Sequence, residues 1–179
     1  MAQHRLFQFH GWSRRRYSAG ESAPLTLLSL FLIAGILTAI LLPTYRDYTL
    51  HEHSKLARTV LAEVALHYKD WQKSHPVQRL SSLQDLGYSA LAIYVSSDGT
   101  SGDSANINSI YRVSLSFPSA KSEQSCGLLP DDVQTGFVLV AEPIQTQRID
   151  TQCSRLCLSS SGQQGISGSS SAEKCWSPH

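Results

Sequence analysis

Hydrophobic residues are most concentrated in one stretch near the N-terminus. The segment from Leu25 to Leu42 holds eighteen uncharged, mostly aliphatic residues in an unbroken run. As an α-helix it would be about 27 Å long at ~1.5 Å per residue, close to the ~30 Å hydrocarbon core of a bilayer. The rest of the chain is polar enough to be globular. The pattern therefore predicts one transmembrane helix in a single-pass membrane protein.

The hydrophobic pattern changes directly after Pro43. Between Tyr45 and Lys73, apolar residues recur at spacings of three and four and form one stripe along a helix. His75-Pro76 ends this pattern, since proline disfavours a helical conformation of the residue before it. We predict one long helix, kinked at Pro43, whose first half lies in lipid and whose second half packs on a soluble core. The residues of the stripe are Leu56, Val60, Leu61, Val64, Ala65, Tyr68 and Trp71.

The second half of the chain has the pattern of strands. Apolar and polar residues alternate from Tyr111 to Phe117, which is typical of a half-buried strand. Phe137 to Ala141 is apolar on both faces and predicts a central strand, and Arg155 to Ser159 predicts a shorter third one. Because no second helical pattern separates these strands, we expect antiparallel pairing.

Two segments are expected to contain little regular structure. Residues 76–110 are interpreted as a connecting region, with a Ser/Gly/Asp-rich loop from Ser96 to Asn108. The tail from Ser159 to Ser171 is rich in Ser, Gly and Gln, and we expect it to be flexible unless Cys175 ties it down. A short apolar-periodic piece lies within the connecting region, at Leu80, Leu83 and Leu86.

All four cysteines lie in the last third of the chain, beyond the apolar run: Cys126, Cys153, Cys157 and Cys175. An even number of cysteines in a small extracytoplasmic domain predicts two disulfides, with three possible pairings. A bridge from Cys153 to Cys175 would close a loop of about twenty residues and stabilise the fold by ~3 kcal/mol on the chain-entropy model. A zinc site is the alternative, but no histidine lies beside Cys153 and Cys157 and no second pair repeats their spacing. The predicted class is α+β, with a helix across a small antiparallel sheet and a disulfide-bounded C-terminal loop.

The distribution of charge predicts the orientation of the span. No acidic residue occurs before Glu21, and basic residues near a span stay cytoplasmic, so the C-terminal part is expected outside the inner membrane. A cleavable secretory signal is the alternative, although the sequence around Pro43 offers no small-x-small cleavage site. The near-neutral balance of fifteen basic and fourteen acidic residues gives no reason to expect a polyanionic partner. The arginines before the run are Arg5, Arg14, Arg15 and Arg16.

The residues around the end of the apolar run resemble a known family. Ala34 to Tyr48, AGILTAILLPTYRDY, is similar to the N-terminal helix of type IV pilins and type II secretion pseudopilins. The C-terminal end resembles the PilE-type minor pilins in particular, with Asp150-x-x-Cys153-x-x-Leu156-x-Leu158, a Gly/Ser-rich stretch and Cys175-Trp176. The resemblance is good over residues 20–75 and holds in outline over 111–179. It implies a pilin-like fold, with a long kinked N-terminal helix on a small antiparallel sheet.

The resemblance also implies three regions and a processing site. Residues 1–20 would be a prepilin-type leader, 21–43 a transmembrane and assembly helix, and 44–179 a periplasmic globular domain. By the family's pattern, a prepilin peptidase would cut after Gly20, and Glu21 would become the N-methylated first residue. The chain departs from the family here, because the family usually has Phe after the glycine and a spacing to the proline that is one residue shorter.

Three positions of the assembly helix follow from the same resemblance. Thr26 stands where the family carries a glutamate that is thought to pair with a neighbouring subunit's N-terminal amine. A threonine cannot form that ion pair, so we expect a poor repeating unit, which suits a rare component or a degenerate paralogue. Glu21 is the alternative acidic group if the register shifts. Gly35 and Pro43 would loosen the helix, since glycine lacks packing and proline lacks a donor.

The expected function is that of a structural minor pilin of a type IV pilus, acting in pilus assembly and in twitching motility, adhesion or DNA uptake. Its partners would be other pilins, the prepilin peptidase and the inner membrane, and no enzymatic activity, cofactor or small-molecule substrate is expected. The chain would sit in the inner membrane with its N-terminus cytoplasmic and then enter the extracellular pilus. The alternatives are a type II secretion pseudopilin, a DNA-binding or adhesive pilin-like module, and a plain membrane-anchored periplasmic protein.

Three local patterns have ordinary explanations. His51-Glu52-His53 resembles a metal site, but residues two apart on a helix diverge, which favours a solvated face. The loop from Asp98-Gly99 to Asn106 resembles a calcium loop, but EF-hand spacing is absent and Asp-Gly is above all a turn former. Three basic residues near the C-terminal loop could contact DNA phosphates, but they lack interleaved aromatic residues. They are Arg148, Arg155 and Lys174.

Overall fold

The computed structural model describes residues 23–118, 120–121, 124–129 and 136–177. The chain divides into two compact units, Met1–Thr44 and Tyr45–His179. The predicted processing residues Gly20 and Glu21 lie outside the described residues.

The first helix, α1, is 52 residues long and extends over Ala23–Ser74. Pro24 lies in its first turn, where a missing N–H costs nothing because that donor has no partner within a helix. Pro43 lies inside the helix, so that no donor reaches the carbonyl of Ala39. The prediction of one long helix that contains both the apolar run and the amphipathic segment is confirmed. It ends directly before His75, whose backbone N–H donates to the Trp71 carbonyl over 3.0 Å.

The amphipathic part of α1 contributes its predicted stripe to the core. Val60, Leu61, Val64 and Tyr68 are buried, whereas residues on the other side of the helix are exposed. The Tyr68 ring meets the Phe137 ring edge-on, with centroids 4.6 Å apart, and such aromatic pairs add to the stabilisation from burial alone. The remaining members of the stripe, Leu56, Ala65 and Trp71, pack partly buried against the same core.

One antiparallel sheet of six strands accompanies the helix, in the order β2-β1-β3-β4-β5-β6. Three strands correspond to the predicted ones, and β4 is buried along nearly its whole length, as expected of a central strand. The strands are β1 (Ala92–Ser96), β2 (Ser101–Gly102), β3 (Ser109–Ser116), β4 (Val138–Pro143), β5 (Leu156–Ser159) and β6 (Gln164–Ile166).

The two faces of the sheet bury different sets of side chains. One face packs against α1 through alternate residues such as Val113, Leu139 and Leu156. The opposite face holds Val138, Val140 and Cys157, which are covered by Leu128 and Cys126 from the long β3–β4 connection. The prediction of an α+β fold with a helix packed on an antiparallel sheet is therefore confirmed.

Three of the six strands lie in segments that were expected to be irregular. The Ser96–Asn108 loop contains a hairpin, in which Ser96 N–H donates to the Thr100 carbonyl and Gly99 adopts a φ of +84°. Strand β6 lies in the Ser159–Ser171 tail, and the Trp176 indole N–H donates to the Gly165 carbonyl of that strand over 3.1 Å. The tail is tied down as the sequence allowed, through the Cys153–Cys175 disulfide and Trp176, and the pairing of β6 with β5 orders it further.

Candidate functional site

The apolar half of α1 is exposed along its whole described length. Residues 26–48 are all exposed, and the large apolar side chains among them are between 53% and 76% exposed. Water-soluble monomers rarely expose so large a continuous apolar surface. The helix needs a lipid environment or other apolar helices around it. These side chains are Leu27, Leu28, Leu30, Phe31, Leu32, Ile33, Ile36, Leu37, Ile40, Leu41 and Leu42.

By length and composition, this helix can cross a membrane. Its most apolar 18-residue window has a mean hydropathy of 2.3, and it is the one such helix in the part of the chain that the structure describes. The prediction of a single candidate span near the N-terminus is thus confirmed.

Hydroxyl groups within and just after the apolar stretch are satisfied by the helix itself. Ser29 Oγ donates to the Thr26 carbonyl over 2.8 Å, and Thr38 Oγ1 donates to the Ala34 carbonyl over 2.7 Å. Thr44 Oγ1 donates to the Ile40 carbonyl in the same way. Such back-bonding lets a hydroxyl enter hydrocarbon without an unsatisfied donor.

The structure places the three predicted assembly positions along this exposed surface. Thr26 is exposed near the start of α1, nine residues before Gly35. A Cβ added to Gly35 would meet no atom of the described residues within 4 Å, so none of these residues requires a glycine there. Gly35 leaves a small gap in the apolar surface, which is where a neighbouring helix could approach closely.

A buried polar network connects α1 to the segment that precedes the C-terminal loop. Its centre is Gln147, which is fully buried in the 3₁₀ segment Gln145–Ile149. Its Nε2 donates to the Leu50 carbonyl over 3.1 Å and to the Tyr111 hydroxyl over 3.2 Å, and its Oε1 lies 2.9 Å from His53 Nδ1. Because a buried amide must be paired, these contacts fix the position of the 3₁₀ segment against the helix.

Tyr111 is the second member of this network. Its hydroxyl lies 3.1 Å from Ser54 Oγ, which in turn lies 3.0 Å from the Leu50 carbonyl. Burial raises the pKa of Tyr111 to about 12, because the ionised phenolate would lose its hydration there. Tyr111 therefore stays neutral and joins α1 to strand β3.

Hydrogen bonds also connect the same 3₁₀ segment to the start of the C-terminal loop. Asp150, which follows it directly, accepts hydrogen bonds at Oδ1 from the backbone N–H groups of Gln152 and Cys153, each over 3.0 Å. Gln147 Nε2 also lies 3.4 Å from Asp150 Oδ2. The start of the disulfide-bounded loop is thereby held in one conformation.

Two disulfides bound the C-terminal region: Cys153–Cys175 and Cys126–Cys157. Their separations of 22 and 31 residues correspond to about 3 to 4 kcal/mol each on the chain-entropy model. The structure thus has one of the three pairings that the sequence left open. Among the described residues no cysteine is free, which leaves no thiol there for a zinc site.

The segment between the strands and the last helix packs closely on the start of the loop. Ser169 N–H donates to the Thr151 carbonyl and Ser170 N–H to the Gln152 carbonyl. Directly before Ser169, a Cβ on Gly168 would lie 2.1 Å from the Gln152 carbonyl oxygen, so only glycine fits. The short helix α2 (Ala172–Trp176) follows, and the carbonyl of Ser177 beyond it accepts a hydrogen bond from Arg58 of α1.

Two surface grooves flank Ile149, which is 61% exposed. The Lys174 groove has a volume of about 420 Å³ and the His53 groove one of about 190 Å³. The Lys174 groove is lined by Asp47, Tyr48, Leu50, His51, Ile149, Asp150, Thr151, Gln152, Cys153 and Lys174. The His53 groove is lined by Tyr45, Arg46, Thr49, Leu50, His53, Thr146, Gln147 and Ile149.

The histidine pair does not converge on one point. His51 lines the Lys174 groove, whereas His53 lines the His53 groove and meets Gln147, and Glu52 pairs with Lys55 at 2.6 Å. Both histidines are half-buried, so the expectation of a solvated face is wrong: the 3₁₀ segment packs over this part of the helix. Across the described part of the chain, no cluster of three or more His, Cys, Asp or Glu side chains could hold a metal ion.

The acidic loop uses its oxygens for local turns. Asp98 Oδ1 accepts hydrogen bonds from the backbone N–H and the hydroxyl of Thr100, and these bonds lower the pKa of Asp98. Asp103 has a different partner, because its Oδ2 accepts a hydrogen bond from the Ser89 hydroxyl. This arrangement fits the turn-forming role of Asp-Gly.

The three candidate DNA-contacting cations have different surroundings. Arg155 lies 3.4 Å from Glu142, which also lies 3.9 Å from Arg112. Lys174 instead lines a groove beside Tyr48 and Ile149, and Arg148 is exposed in the 3₁₀ segment. Among the described residues, Arg155 is the one of the three that has a carboxylate within 4 Å.

Comparison of the chain with models of known protein families gives no match, and comparison with curated proteins gives none either. The fold and the exposed helix together define an α+β protein whose N-terminal helix is long and apolar enough to span a membrane.

Several residues of this region carry no signal in the sequence. Gln147 lies in a polar stretch, QTQR, where each residue looks equally suited to solvent. Gly168 lies in a Ser/Gly-rich tail that resembles a flexible linker. Only the cysteines and the Cys175-Trp176 ending pointed to order in this part of the chain.

Proposed function

We propose that this chain is a structural subunit of the minor-pilin kind, held in the inner membrane by α1 before it joins a type IV pilus. The observation that carries the proposal is the division of α1 into two environments. Its residues 26–48 are exposed and largely apolar, whereas its residues 57–68 form part of a core with an antiparallel sheet. A disulfide-bounded C-terminal loop completes the set of features that the family resemblance implies.

The exposed apolar helix supports a role in assembly. In a bilayer its side chains would face lipid, and in a fibre they would face the equivalent helices of other subunits, so one surface serves both states. Thr26 supplies no carboxylate for an ion pair with a neighbouring N-terminal amine. The proposed subunit is accordingly a rare component and not the main repeating unit.

The buried polar network and the two disulfides support a structural role for the globular part. They hold the C-terminal loop in place, and we propose it as the surface for partner proteins once the subunit has left the membrane. The proposed localisation is the inner membrane with the globular part in the periplasm, followed by the extracellular pilus.

Processing of the N-terminus tests this proposal. The protein is isolated from cell membranes with and without an active prepilin peptidase, and its intact mass and N-terminal sequence are determined. We expect a peptidase-dependent N-terminus at Glu21. The substitution Gly20→Glu should abolish the cut, whereas the same change at the other leader glycine, Gly11→Glu, should leave it intact.

The opposite outcome would be an N-terminus at Met1 in the presence of active peptidase, or a cut beyond Leu42. Either result would leave a signal-anchored or secreted domain in place of a pilin. A type II secretion pseudopilin would be processed in the same way, but it would be absent from sheared surface fibres.

A further inference from the structure

A second exposed apolar surface lies on the globular unit itself. Ile149 is 61% exposed, Tyr45 is 71% exposed and Tyr48 is 65% exposed. Arg46 and Lys174 line the two grooves on either side of Ile149. These five residues, Tyr45, Arg46, Tyr48, Ile149 and Lys174, are called the Ile149 face below.

The fold builds this face from distant parts of the chain. Ile149 and Tyr45 are far apart in sequence, yet both line the His53 groove. Gln147 fixes the 3₁₀ segment to α1 through the Leu50 carbonyl and His53, while Asp150 accepts two backbone N–H groups on the other side of Ile149. The exposed isoleucine is therefore held rigidly next to the helix by buried contacts on both sides of it.

Two cations of the face are available to anionic groups. Neither Arg46 nor Lys174 is in an ion pair among residues 23–118, 120–121, 124–129 and 136–177. Two carboxylates also line the Lys174 groove: Asp150, whose Oδ1 accepts two backbone N–H groups, and Asp47. Aromatic and aliphatic side chains beside long cationic ones are the composition that favours the headgroup layer of a membrane.

Chain connectivity puts the face at the depth of that layer. Tyr45 follows Leu42, the last residue of the apolar run, by three residues, and three residues of a helix advance by about 4.5 Å. The headgroup layer on each side of a bilayer is about 5 to 8 Å thick. If Leu42 ends the span, Tyr45 lies in or directly above the headgroups, and Ile149 shares a groove with it.

We propose that the Ile149 face docks the globular unit onto the phospholipid headgroup layer, with Ile149 inserted between lipids and Lys174 and Arg46 on lipid phosphates. This inference rests on the proposed membrane anchoring by α1. It adds that the globular unit is held against the bilayer by a contact that includes Ile149 and Lys174, which are remote from the span in sequence, and this contact must be released when the subunit leaves the membrane.

The test uses the full-length chain reconstituted in vesicles of zwitterionic and anionic phospholipids, at about one chain per vesicle. A tryptophan replaces Ile149 in one variant, and Ile107, which is 90% exposed, in a matched control. Emission of the added tryptophan is obtained by subtracting the wild-type signal. Lipids brominated near the headgroup then act as a contact quencher, and vesicle flotation reports anchoring separately.

We expect most of the added emission to be lost for I149W and retained for I107W, with weaker quenching of I149W when Lys174→Gln is added. An I149W chain that floats with the vesicles while its added indole stays unquenched would overturn the docking and leave the anchoring intact. Equal quenching of both variants would also overturn it, as would quenching that appears only at high protein density, since that marks a second copy. A chain that fails to float would overturn the membrane anchoring itself.

Discussion

Tyr111 shows how a single residue couples the helix to the sheet. Its ring belongs to the core between α1 and β3, and its hydroxyl meets Ser54 and Gln147. The buried hydroxyl is satisfied only while these partners stay in place, because an unpaired polar group in a core costs about 1 to 3 kcal/mol. The network thereby makes the position of the 3₁₀ segment depend on the packing of the helix.

The raised pKa of Tyr111 predicts a specific loss of stability at alkaline pH. The stabilising contribution is fully present below the ordinary tyrosine pKa of 10.0 and is lost as pH rises toward the folded-state pKa of about 12. Two pKa units correspond to about 3 kcal/mol. Urea unfolding of the full-length chain in detergent, followed through Trp71 and Trp176, should show this fall between about pH 10 and pH 12.

The substitution Tyr111→Phe is the control for that measurement. It removes the titrating hydroxyl and should flatten the decline above pH 10, at the cost of the hydrogen bonds to Ser54 and Gln147 near neutral pH. The wild type and the variant share the contribution of Tyr88, whose pKa burial also raises. Identical alkaline slopes in the two proteins would contradict the assignment.

Among the elements, the C-terminal loop depends most on one close approach. The 167–170 segment lies along the start of the loop, and a Cβ on Gly168 would lie 2.1 Å from the Gln152 carbonyl oxygen. We expect Gly168→Ala to lower the free energy of unfolding by about 1 to 3 kcal/mol and to reduce the yield of the Cys153–Cys175 disulfide. Urea titration and disulfide mapping by mass spectrometry measure the two effects.

Gly102 offers the matched control for this substitution. It lies in β2 on the surface, and a Cβ there would meet nothing within 4 Å. Gly102→Ala should change the free energy of unfolding by less than about 1 kcal/mol. Equal effects of the two alanines would show that the close approach at Gly168 does not determine the order of the loop.

The elements that could be predicted from sequence are those with a strong periodic pattern. The α1 stripe from Leu56 to Trp71 and the alternation in β3 both reflect burial on one face, and burial is what fixes hydrophobic periodicity. Strands β2 and β6 are two and three residues long and consist largely of Ser, Gly and Gln. They are ordered because they pair with a neighbouring strand, and this pairing cannot be predicted from the local sequence.

The candidate site was predictable to a similar degree. The exposed span follows from composition alone, and four cysteines implied two disulfides whose pairing only the fold could supply. Gln147 and Ile149 could not be found, because a polar 3₁₀ segment looks solvated until the element that packs against it is known. The divergence of His51 and His53 was expected, whereas their partial burial was not.

At the scale of the whole molecule, the two parts of α1 have different surroundings. Its first part exposes apolar side chains, and its later part contributes to the core of a unit that contains two disulfides. Under the proposed function, this division allows the subunit to be held in a membrane and then moved into a fibre without refolding its globular part. This is the central claim of the proposed function.

The most direct test of this claim is the composition of sheared surface fibres. Fibres are prepared from cells with and without an active prepilin peptidase, and the chain is sought by quantitative mass spectrometry of tryptic and N-terminal peptides. The account predicts a low copy number of the mature chain, beginning at Glu21, in fibres from peptidase-competent cells only. Full retention of the chain in the inner membrane with Met1 intact, while fibres form normally, would contradict it.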